Sequence, residues 1–272
     1  MQPSPPPGLF REMTDALGRS VRAPAPPRRM VSLVPSQTEL LFRLGCGDRV
    51  VGVSDYCVEP AAALATIARV GGQKDPDVAA VLALRPDLIL VNKEENLRRD
   101  VEKFTDAGVP TFVTDVRTVE AALQLTTTLG VLCGADVDVM AALLSAQVDA
   151  VAQAHTLAAQ RAARPRVLAA VWRDPWIVAG PDTYMSAVLS TLGADNAAAE
   201  LGAQARYPKL SIQQIRDLRP DRVLLPTEPY PFCAGDAASM AAELGVPVAV
   251  IDGPTACWYG PRTAHIARLA PA

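Results

Sequence analysis

The chain has 272 residues, of which 50% are hydrophobic and 20% charged, and its formal net charge is −3. This length suits two lobes of about 100–150 residues, each able to bury its own apolar core. No run of lysine or arginine is present. Nucleic acid is therefore excluded as an expected partner, because proteins that bind it neutralise the phosphates with clustered cations.

The N-terminal residues MQPSPPPGLFREMTDALG lack the apolar core of a secretory signal. No uninterrupted apolar run reaches the ~18 residues that a membrane span needs, so no span is expected. The cysteines are scattered without a CxxC pair, which is typical of a reducing compartment; they are Cys46, Cys57, Cys133, Cys233 and Cys257. From the sequence as written we expect a cytoplasmic protein. A misassigned start or a trimmed chain would conceal a signal for the periplasm or the cell surface.

Residues 1–27 predict an arm or hairpin, with Leu17, Gly18 and Arg19 at its turn. Residues 28–134 predict an N-terminal α/β lobe, in which short apolar runs alternate with helical periodicity. The predicted strands lie at roughly 30–34, 50–53, 88–92 and 111–114. After the first of them, Ser36 and Glu39 predict a capping box at a helix start. Because the runs are apolar throughout, we expect parallel strands covered on both faces by helices.

Residues 135–164 predict one helix of about 25 residues, rich in Ala, Leu, Gln and Val and without an internal glycine or proline. Such a helix is a stiff connection, whereas a flexible hinge would contain Gly and Ser. Residues 165–272 predict a C-terminal α/β lobe. Its strands are expected at roughly 166–172, 222–226 and 247–251, with a weaker candidate near 176–179.

Three segments occur twice in the same order, which predicts two lobes of one topology. VAAVLALRPDLILVN (78–92) matches IQQIRDLRPDRVLLP (212–226), and AGVPTFVTDV (107–116) matches LGVPVAVIDG (244–253). A fainter pair is TELLFRLGCGD (38–48) with MSAVLSTLGAD (185–195). In each Leu-Arg-Pro-Asp segment the proline ends a helix and the aspartate begins the turn into a strand.

Ligands of open parallel sheets bind beyond the carboxyl ends of the strands. Aromatic and charged side chains concentrate at these predicted ends, although only 5% of the chain is aromatic. The predicted ligand-binding residues are Tyr56, Lys93, Glu94, Trp172, Arg173, Trp176, Tyr207, Glu228, Trp258, Tyr259 and Arg262. The adjacent rings in TACWYGPRT predict one wall of a cleft between the lobes. The alternative is that such rings plug a loop over the edge of a core.

The sequence contains no metal-ligand spacing of the HxH, HExxH or clustered-cysteine type, no glycine-rich phosphate loop and no GxSxG elbow. We therefore predict no catalytic residues, no metal ligands and no cofactor of its own. Residues 93–96 (KEEN) could serve catalysis, but they are more typical of a strand end that opens a helix, with Glu94 and Glu95 in its first turn. Arg173 and Arg262 are expected to fork onto a carboxylate, amide or phosphate of a ligand.

The chain resembles the class III solute-binding proteins of ABC importers for vitamin B12, siderophores and haem, and within them the cobalamin-binding branch. The resemblance rests on TDALGRSVRAPAPPRRMVSLVPSQTELLFRLGCGDRVVGVSDYC, DPDVAAVLALRPDLIL, the long helix and SIQQIRDLRPDRVLL. It implies two similar Rossmann-like lobes joined by one long interdomain α-helix, with a ligand cleft between the lobes and little closure on binding. The implied ligand is a corrinoid, with a haem or another iron chelate as the alternative.

Matched to this family, Tyr56, Trp172, Tyr207 and Trp258 fall where cobalamin-binding relatives carry cleft aromatics. Gln73 and Asn92 stand in place of tryptophans of other relatives. Exported relatives dock an ABC permease through one glutamate on each lobe. The matching positions here hold Ala79 and Gln213, with Asp77 and Asp217 nearby.

Three hypotheses follow from the sequence. The first is a non-catalytic solute-binding protein of an importer, and the second is a cytoplasmic carrier or sensor of the same ligand class. The third is an enzyme acting on a tetrapyrrole, built from the loops at Lys93–Glu95 and Arg173–Asp174. If a ligand metal receives a protein donor, Cys57, Cys257, Tyr56 and Tyr259 are the candidates. The oligomeric state is left open.

Overall fold

The structure is a computed structural model that describes residues 10–202 and 204–269. It divides into two compact units. The first unit extends to Asp115 and includes Gln124–Leu144, and the second contains Val116–Leu123 and the chain from Ser145 onward. Each unit is an α/β fold with its own sheet, which confirms the predicted fold class.

An antiparallel hairpin, β1 (Phe10–Thr14) and β2 (Ser20–Pro24), precedes the first sheet. The Asp15 carboxylate organises its turn by accepting hydrogen bonds from the backbone N–H groups of Leu17 and Arg19, at 2.9 and 3.0 Å. The Ala16 N–H donates to the carbonyl of Val113 at 2.9 Å. These bonds fasten the turn of the hairpin to an edge strand of the first unit.

The first sheet contains five parallel strands in the order β5-β4-β3-β6-β7. All four strands predicted for this lobe are present, and the short β5 is additional. The elements in chain order are β3 (Met30–Ser32), α1 (Pro35–Arg43), β4 (Val50–Val53), α2 (Ala61–Leu64), β5 (Ala68–Arg69), α3 (Val78–Ala83), β6 (Leu88–Asn92), α4 (Arg98–Asp106), β7 (Thr111–Thr114) and α5 (Val119–Cys133).

Helix α6 (Val137–Ala159) is the long helix expected from the sequence. It begins in the first unit and ends in the second, because the division between the units falls after Leu144. Gln147, Ala150 and Ala154 are its buried side chains. Among the described residues it is the one helix long and apolar enough to cross a membrane by length and composition, a test that core helices of soluble proteins also pass.

The second sheet has the order β11-β9-β8-β12-β13, and β10 also pairs with β8. Its elements in chain order are β8 (Arg166–Trp172), β9 (Trp176–Val178), α7 (Tyr184–Thr191), β10 (Asp195–Asn196), β11 (Lys209–Leu210), α8 (Ile212–Asp217), β12 (Arg222–Pro226), α9 (Ala234–Leu244), β13 (Val248–Ile251) and α10 (Gly253–Cys257), followed by a 3-10 segment (Pro261–Leu269).

The expectation of parallel strands throughout is wrong for part of this sheet. β8, β12 and β13 are parallel, but β9 runs antiparallel to β8, and β11 runs antiparallel to β9. Three residues, Arg173 to Pro175, join β8 to β9. This connection is far too short for the crossover that a parallel pair requires, so the chain reverses in a hairpin.

The two Leu-Arg-Pro-Asp segments adopt the same structure. Arg85 and Arg219 both have left-handed backbones, with φ of 50° and 47°. The carboxylate of Asp87 accepts the N–H of Arg29 at 2.9 Å, and that of Asp221 accepts the N–H of Arg166 at 2.7 Å. Each aspartate N–H also donates to the carbonyl of the same arginine. The internal repeat is therefore a repeat of tertiary contacts as well as of amino-acid sequence.

The predicted capping box at Ser36 and Glu39 is wrong. Helix α1 begins at Pro35, and its N-cap residue, Val34, has no side chain that accepts a hydrogen bond. Ser36 lies inside the first turn, where it is buried and its hydroxyl has no hydrogen-bond partner. The proline starts the helix two residues earlier than the capping pattern requires, because its fixed φ suits the first helical position.

Replacing either repeated aspartate by alanine is expected to destabilise its own unit by about 1–2 kcal/mol, because backbone N–H groups lose a charged acceptor. All three tryptophans lie in the second unit. Urea unfolding of Asp221→Ala is therefore followed by tryptophan fluorescence, and that of Asp87→Ala by circular dichroism. The matched control is Asp106→Ala, at an exposed aspartate that makes no hydrogen bond or ion pair among the described residues. Equal stability of all three variants would contradict the assignment.

Candidate functional site

In the first unit, Tyr56 is the predicted site residue that projects furthest into solvent. It follows β4 and is 61% exposed. Its ring lies close to the backbone at Gly72, where an added Cβ would be 3.4 Å from a ring carbon. The neighbouring Cys57 is fully buried, and its thiol lies 3.2 Å from the hydroxyls of Thr38 and Ser54. Burial raises the pKa of this thiol, so it is a structural group.

The loop after β6 is held by a network of amide hydrogen bonds. The Asn92 side chain accepts the Glu94 N–H at 2.8 Å and donates to the Thr114 hydroxyl at 3.1 Å. The Asn96 side chain accepts the Asn92 N–H at 2.8 Å and donates to the Gln73 carbonyl at 3.0 Å. The expectation that Glu94 and Glu95 open a helix is wrong, because these asparagine bonds stabilise a turn and α4 begins only at Arg98.

Charged and amide groups line the outer side of this loop. Lys93 is exposed and its ammonium lies 3.5 Å from the Asp115 carboxylate. The Gln73 amide donates to Glu95, and the Lys74 ammonium donates to the Glu94 carbonyl. The carboxyl ends of the strands in the first unit therefore present one exposed ring together with several charged and amide groups.

The second unit gathers four aromatic rings at the corresponding strand ends. Trp172 meets Tyr230 edge to face, with centroids 5.3 Å apart, and Tyr230 meets Phe232 at 4.6 Å. Phe232 stacks on Trp176 at 6.0 Å, with planes inclined by 11°. We call these four residues the ring cluster. Trp172 is its outermost member and is 42% exposed.

The ring cluster is anchored in the apolar core of the second unit. Trp176, Tyr230 and Phe232 pack on the face of the sheet formed by Leu168, Ala170, Val223 and Leu225. Rings held in this way lose little conformational freedom when a ligand stacks on them. The sequence identified Trp172 and Trp176 as site residues. It did not predict Phe232, although the segment TEPYPF that contains it follows the end of β12.

Arg173 is fixed beside the rings by an ion pair that the sequence did not reveal. Its guanidinium binds the carboxylate of Asp236, in the first turn of α9, and lies 5.8 Å from the centre of the Trp176 ring. Asp236 also accepts the Cys233 N–H at 2.9 Å. The backbone hydrogen bond from Cys233, with further contributions from the Cys233 side chain and Arg173, lowers the pKa of Asp236. An anionic Asp236 therefore orients Arg173.

Glu228 and Trp258 form a second pair in the same unit. The Trp258 indole donates a hydrogen bond to the Glu228 carboxylate. Burial nevertheless raises the pKa of Glu228, because desolvation of the charged form outweighs this bond. The Cys257 thiol donates to the Glu228 carbonyl at 3.3 Å. These contacts hold the loop after β12 against the turn that follows α10.

Trp258 and Tyr259 are buried, with exposed fractions of 6% and 4%. Tyr259 meets the buried Tyr184 edge to face at 5.9 Å, and the Tyr184 hydroxyl lies 3.0 Å from that of Thr263. The buried amide of Gln147 in α6 donates to the Gly260 carbonyl. In the second unit the two rings therefore pack the loop against the core, which is the alternative interpretation of this sequence motif.

The remaining predicted residues are separated along the second unit. Tyr207 is 45% exposed and precedes β11, at the edge of the sheet beyond β9. The Arg262 guanidinium lies 5.8 Å from the centre of the Trp258 ring, in the 3-10 segment. Residues 10–202 and 204–269 contain no group of three or more His, Cys, Asp and Glu side chains that could hold a metal ion.

A family model described as periplasmic binding protein matches residues 30–241, which is more than three quarters of the chain. The chain belongs to the periplasmic binding protein family. A cobalamin-binding protein of Halobacterium salinarum is 30% identical over 264 residues, covering 94% of this chain and 69% of the relative. This family is made up of solute-binding proteins, so the broad expectation of a binding protein is confirmed.

Two further proteins extend the comparison. An uncharacterised ABC transporter substrate-binding lipoprotein of Bacillus subtilis is 29% identical over 217 residues, covering 77% of this chain and 67% of the relative. The solved structure of a periplasmic haem-binding protein from Roseiflexus sp. RS-1 superimposes with a TM-score of 0.74 at 25% identity. The match covers 88% of this chain and 95% of that one.

Gly253→Ala is expected to destabilise the second unit by about 1–3 kcal/mol, because an added methyl overpacks a closed contact. A Cβ at Gly253 would be 2.2 Å from the Glu228 nitrogen. The control is Gly235→Ala, since a Cβ there approaches nothing nearer than 3.6 Å. Thermal unfolding monitored by tryptophan fluorescence measures both variants. A fully stable Gly253→Ala would show that the two segments separate without cost.

Glu228→Gln is expected to raise the melting temperature at neutral pH. Because burial raises the pKa of Glu228, the charged carboxylate destabilises the folded state. This destabilisation is complete above the folded-state pKa and absent below the ordinary glutamate pKa of about 4.3. Glutamine removes the charge and keeps an acceptor for Trp258. The stabilisation of Glu228→Gln over wild type should therefore disappear as the pH falls below about 4. An unchanged difference across this range, or the same behaviour in the exposed-site control Glu243→Gln, would contradict the assignment.

Proposed function

We propose that this protein binds a metal-bearing macrocycle, with a corrinoid as the primary ligand and a haem or another iron chelate as the alternative. It acts as the non-catalytic solute-binding component of an ABC importer. The observation that carries the proposal is the ring cluster, with Trp172 exposed at its outer end. The names of the relatives from Halobacterium salinarum, Bacillus subtilis and Roseiflexus support the same ligand class and the same type of importer.

Flat aromatic surfaces suit a planar macrocycle, because stacking buries a large apolar area with little loss of side-chain freedom. Trp172 is oriented by Tyr230 and supported through it by Phe232 and Trp176. Tyr56 and Tyr207 are the other exposed rings among the predicted site residues. We propose that these three exposed rings contact the faces of the ligand.

The polar groups of the first unit complement the rim of such a ligand. Corrinoids carry amide side chains around the macrocycle, and haem carries two carboxylates. The exposed Lys93 ammonium and the Gln73 amide are donors suited to these groups, and the Glu94 carboxylate is an acceptor suited to the amides of a corrinoid. Asn92 stands where other relatives have tryptophan and is 2% exposed. Its side chain stabilises the loop after β6 by a hydrogen bond to Thr114, so it is not available to a ligand.

Of the four donors considered for the ligand metal, Tyr56 fits best. Cys57 is fully buried and Tyr259 is 4% exposed, so neither reaches a ligand without rearrangement. The Cys257 thiol is engaged with the Glu228 carbonyl. The Tyr56 side chain is 61% exposed. A phenolate is a known type of axial ligand for haem iron.

The importer assignment requires a permease and a location outside the cytoplasm. The positions expected to dock a permease, Ala79 and Gln213, are exposed and uncharged. Asp77 accepts the Ala80 N–H at 2.9 Å as the N-cap of α3, and Asp217 accepts a hydrogen bond from the Gln213 amide at 2.8 Å. We propose that a permease would instead contact Asp77, at the start of α3, and Asp217, at the end of α8. Recovery of the native protein only in the cytoplasmic fraction would favour the carrier or sensor hypothesis instead.

Non-catalytic binding is preferred over tetrapyrrole chemistry because the two cations of the proposed enzyme site, Arg173 and Lys93, each pair with a carboxylate outside it. Arg173 is held by Asp236, and Lys93 lies 3.5 Å from Asp115. This preference would be overturned if the wild-type protein converted a tetrapyrrole into a product and the Glu94→Gln and Asp174→Asn variants did not.

The decisive experiment is titration with cyanocobalamin, cobinamide, haemin and a ferric siderophore. Binding is measured by isothermal calorimetry and by tryptophan fluorescence corrected for absorption by the ligand. One of these ligands is expected to bind saturably, and Trp172→Ala should weaken it by about tenfold or more, since a stacked ring is lost. Phe10→Ala is the matched control, because Phe10 is an exposed ring of the hairpin.

Trp258→Ala is a poor test of ligand contact, because the buried Trp258 supports the fold of its unit. Tyr56→Phe separates stacking from coordination. If the phenol ligates the iron, this variant should bind haem more weakly and with a changed visible absorption spectrum, whereas affinity and spectrum should both be unchanged if the ring only stacks. No binding of any of the four ligands by the folded protein would refute the proposed function.

A further inference from the structure

A cavity of about 580 Å³ lies in the second unit, on the face of the sheet opposite the ring cluster. Side chains alternate along β12, so Val223 and Leu225 pack toward the rings while Leu224 belongs to the core on the other face. Leu224, Ala249 and Ile251 form the floor of the cavity. It is therefore a separate site from the one proposed for the macrocycle.

Within residues 10–202 and 204–269, the apolar floor of this cavity is incompletely covered. β13 is the edge strand of the sheet and pairs only with β12 among the described strands. All four of its residues, Val248–Ile251, are partly exposed. The cavity volume lies within the range of about 300–1,000 Å³ that is usual for small-molecule pockets. A ligand with an apolar body would bury area here that the described part of the chain leaves open to solvent.

The rim of the cavity is cationic. It carries the guanidinium groups of Arg222, Arg262 and Arg268, together with His265. Neither Arg222 nor Arg268 makes a side-chain hydrogen bond or an ion pair within residues 10–202 and 204–269. The one acidic residue of the rim, Asp252, directs its carboxylate to the Thr255 N–H at 3.0 Å as the N-cap of α10. Two arginines are therefore available to an anion.

We propose that this cavity is a second ligand site, which takes an amphiphilic anion: a carboxylate or phosphate on an apolar body. The apolar body lies on Leu224, Ala249 and Ile251, and the anionic group is held by Arg222 and Arg268. Arginine suits this role because its guanidinium forks onto carboxylate and phosphate oxygens. This site is independent of the macrocycle site and would operate whether or not the proposed function is correct.

The probes are octanoate and octyl phosphate, with octanol and octylamine as matched molecules of neutral and opposite charge. Binding to the full chain is measured by calorimetry at low and high salt. Octanoate and octyl phosphate are expected to bind, octanol about tenfold more weakly, and octylamine not at all. Added salt should weaken the two anions, because the rim is exposed to solvent. Equal affinity for octanoate and octanol would overturn the proposal.

Arg222→Gln and Arg268→Gln should each reduce the octanoate affinity about tenfold. The control Arg43→Gln, at an exposed arginine at the end of α1, should leave it unchanged. Ala249→Trp should abolish binding by filling the cavity, once circular dichroism shows that the variant is folded. If it does not fold, the arginine variants decide alone. Octanoate binding unchanged in both arginine variants would refute the site.

Two further readouts distinguish this cavity from the macrocycle site and from a lipid-binding surface. Affinity for the macrocycle should be the same in Arg222→Gln and Arg268→Gln as in wild type, whereas Trp172→Ala should leave octanoate binding intact. Cosedimentation with phosphatidylglycerol vesicles tests whether the anion belongs to a lipid surface. Arginine-dependent binding to vesicles without binding of free octanoate would overturn the soluble ligand proposed here.

Discussion

The internal structure of each unit depends on one repeated contact, in which the aspartate carboxylate of a Leu-Arg-Pro-Asp turn accepts a hydrogen bond from the backbone at the start of a neighbouring strand. Asp87 fastens β6 beside β3 in this way, and Asp221 fastens β12 beside β8. The arginine at the start of each neighbouring strand, Arg29 or Arg166, donates in return to the C-cap carbonyl of the helix before the turn. These bonds connect the helix, the turn and the two parallel strands of each unit. The carboxyl ends of the two strands therefore lie side by side.

Because the amino ends of the strands are fixed so closely, the loops at the carboxyl ends can differ between the units without altering the sheets. In the first unit these loops are held by asparagine side chains and present polar groups. In the second unit a short hairpin between β8 and β9 brings Trp172 and Trp176 beside Tyr230 and Phe232. One scaffold, used twice, therefore offers a chemically different surface in each unit.

Position at a strand end does not by itself make an aromatic residue available to a ligand. Trp172 follows six residues of continuous strand and remains 42% exposed, whereas Trp258 and Tyr259 follow a strand and a short helix and are buried. The difference arises from distant partners. Trp258 and Tyr259 are held inward by contacts of their loop with Glu228, Tyr184 and the Gln147 amide in α6. No local pattern around TACWYGPRT contains that information.

The sequence by itself determined the α/β class, the positions of the main strands, the long helix and the duplication, because apolar periodicity and the proline and glycine turns act over a few residues. It also located Trp172, Trp176 and Tyr56 at strand ends. Only the tertiary structure decided that β9 runs antiparallel, that Phe232 completes the ring cluster and that Asp236 holds Arg173. It likewise decided which face of β13 stays open. These features depend on contacts between residues far apart in the chain, where packing and burial outweigh local preference.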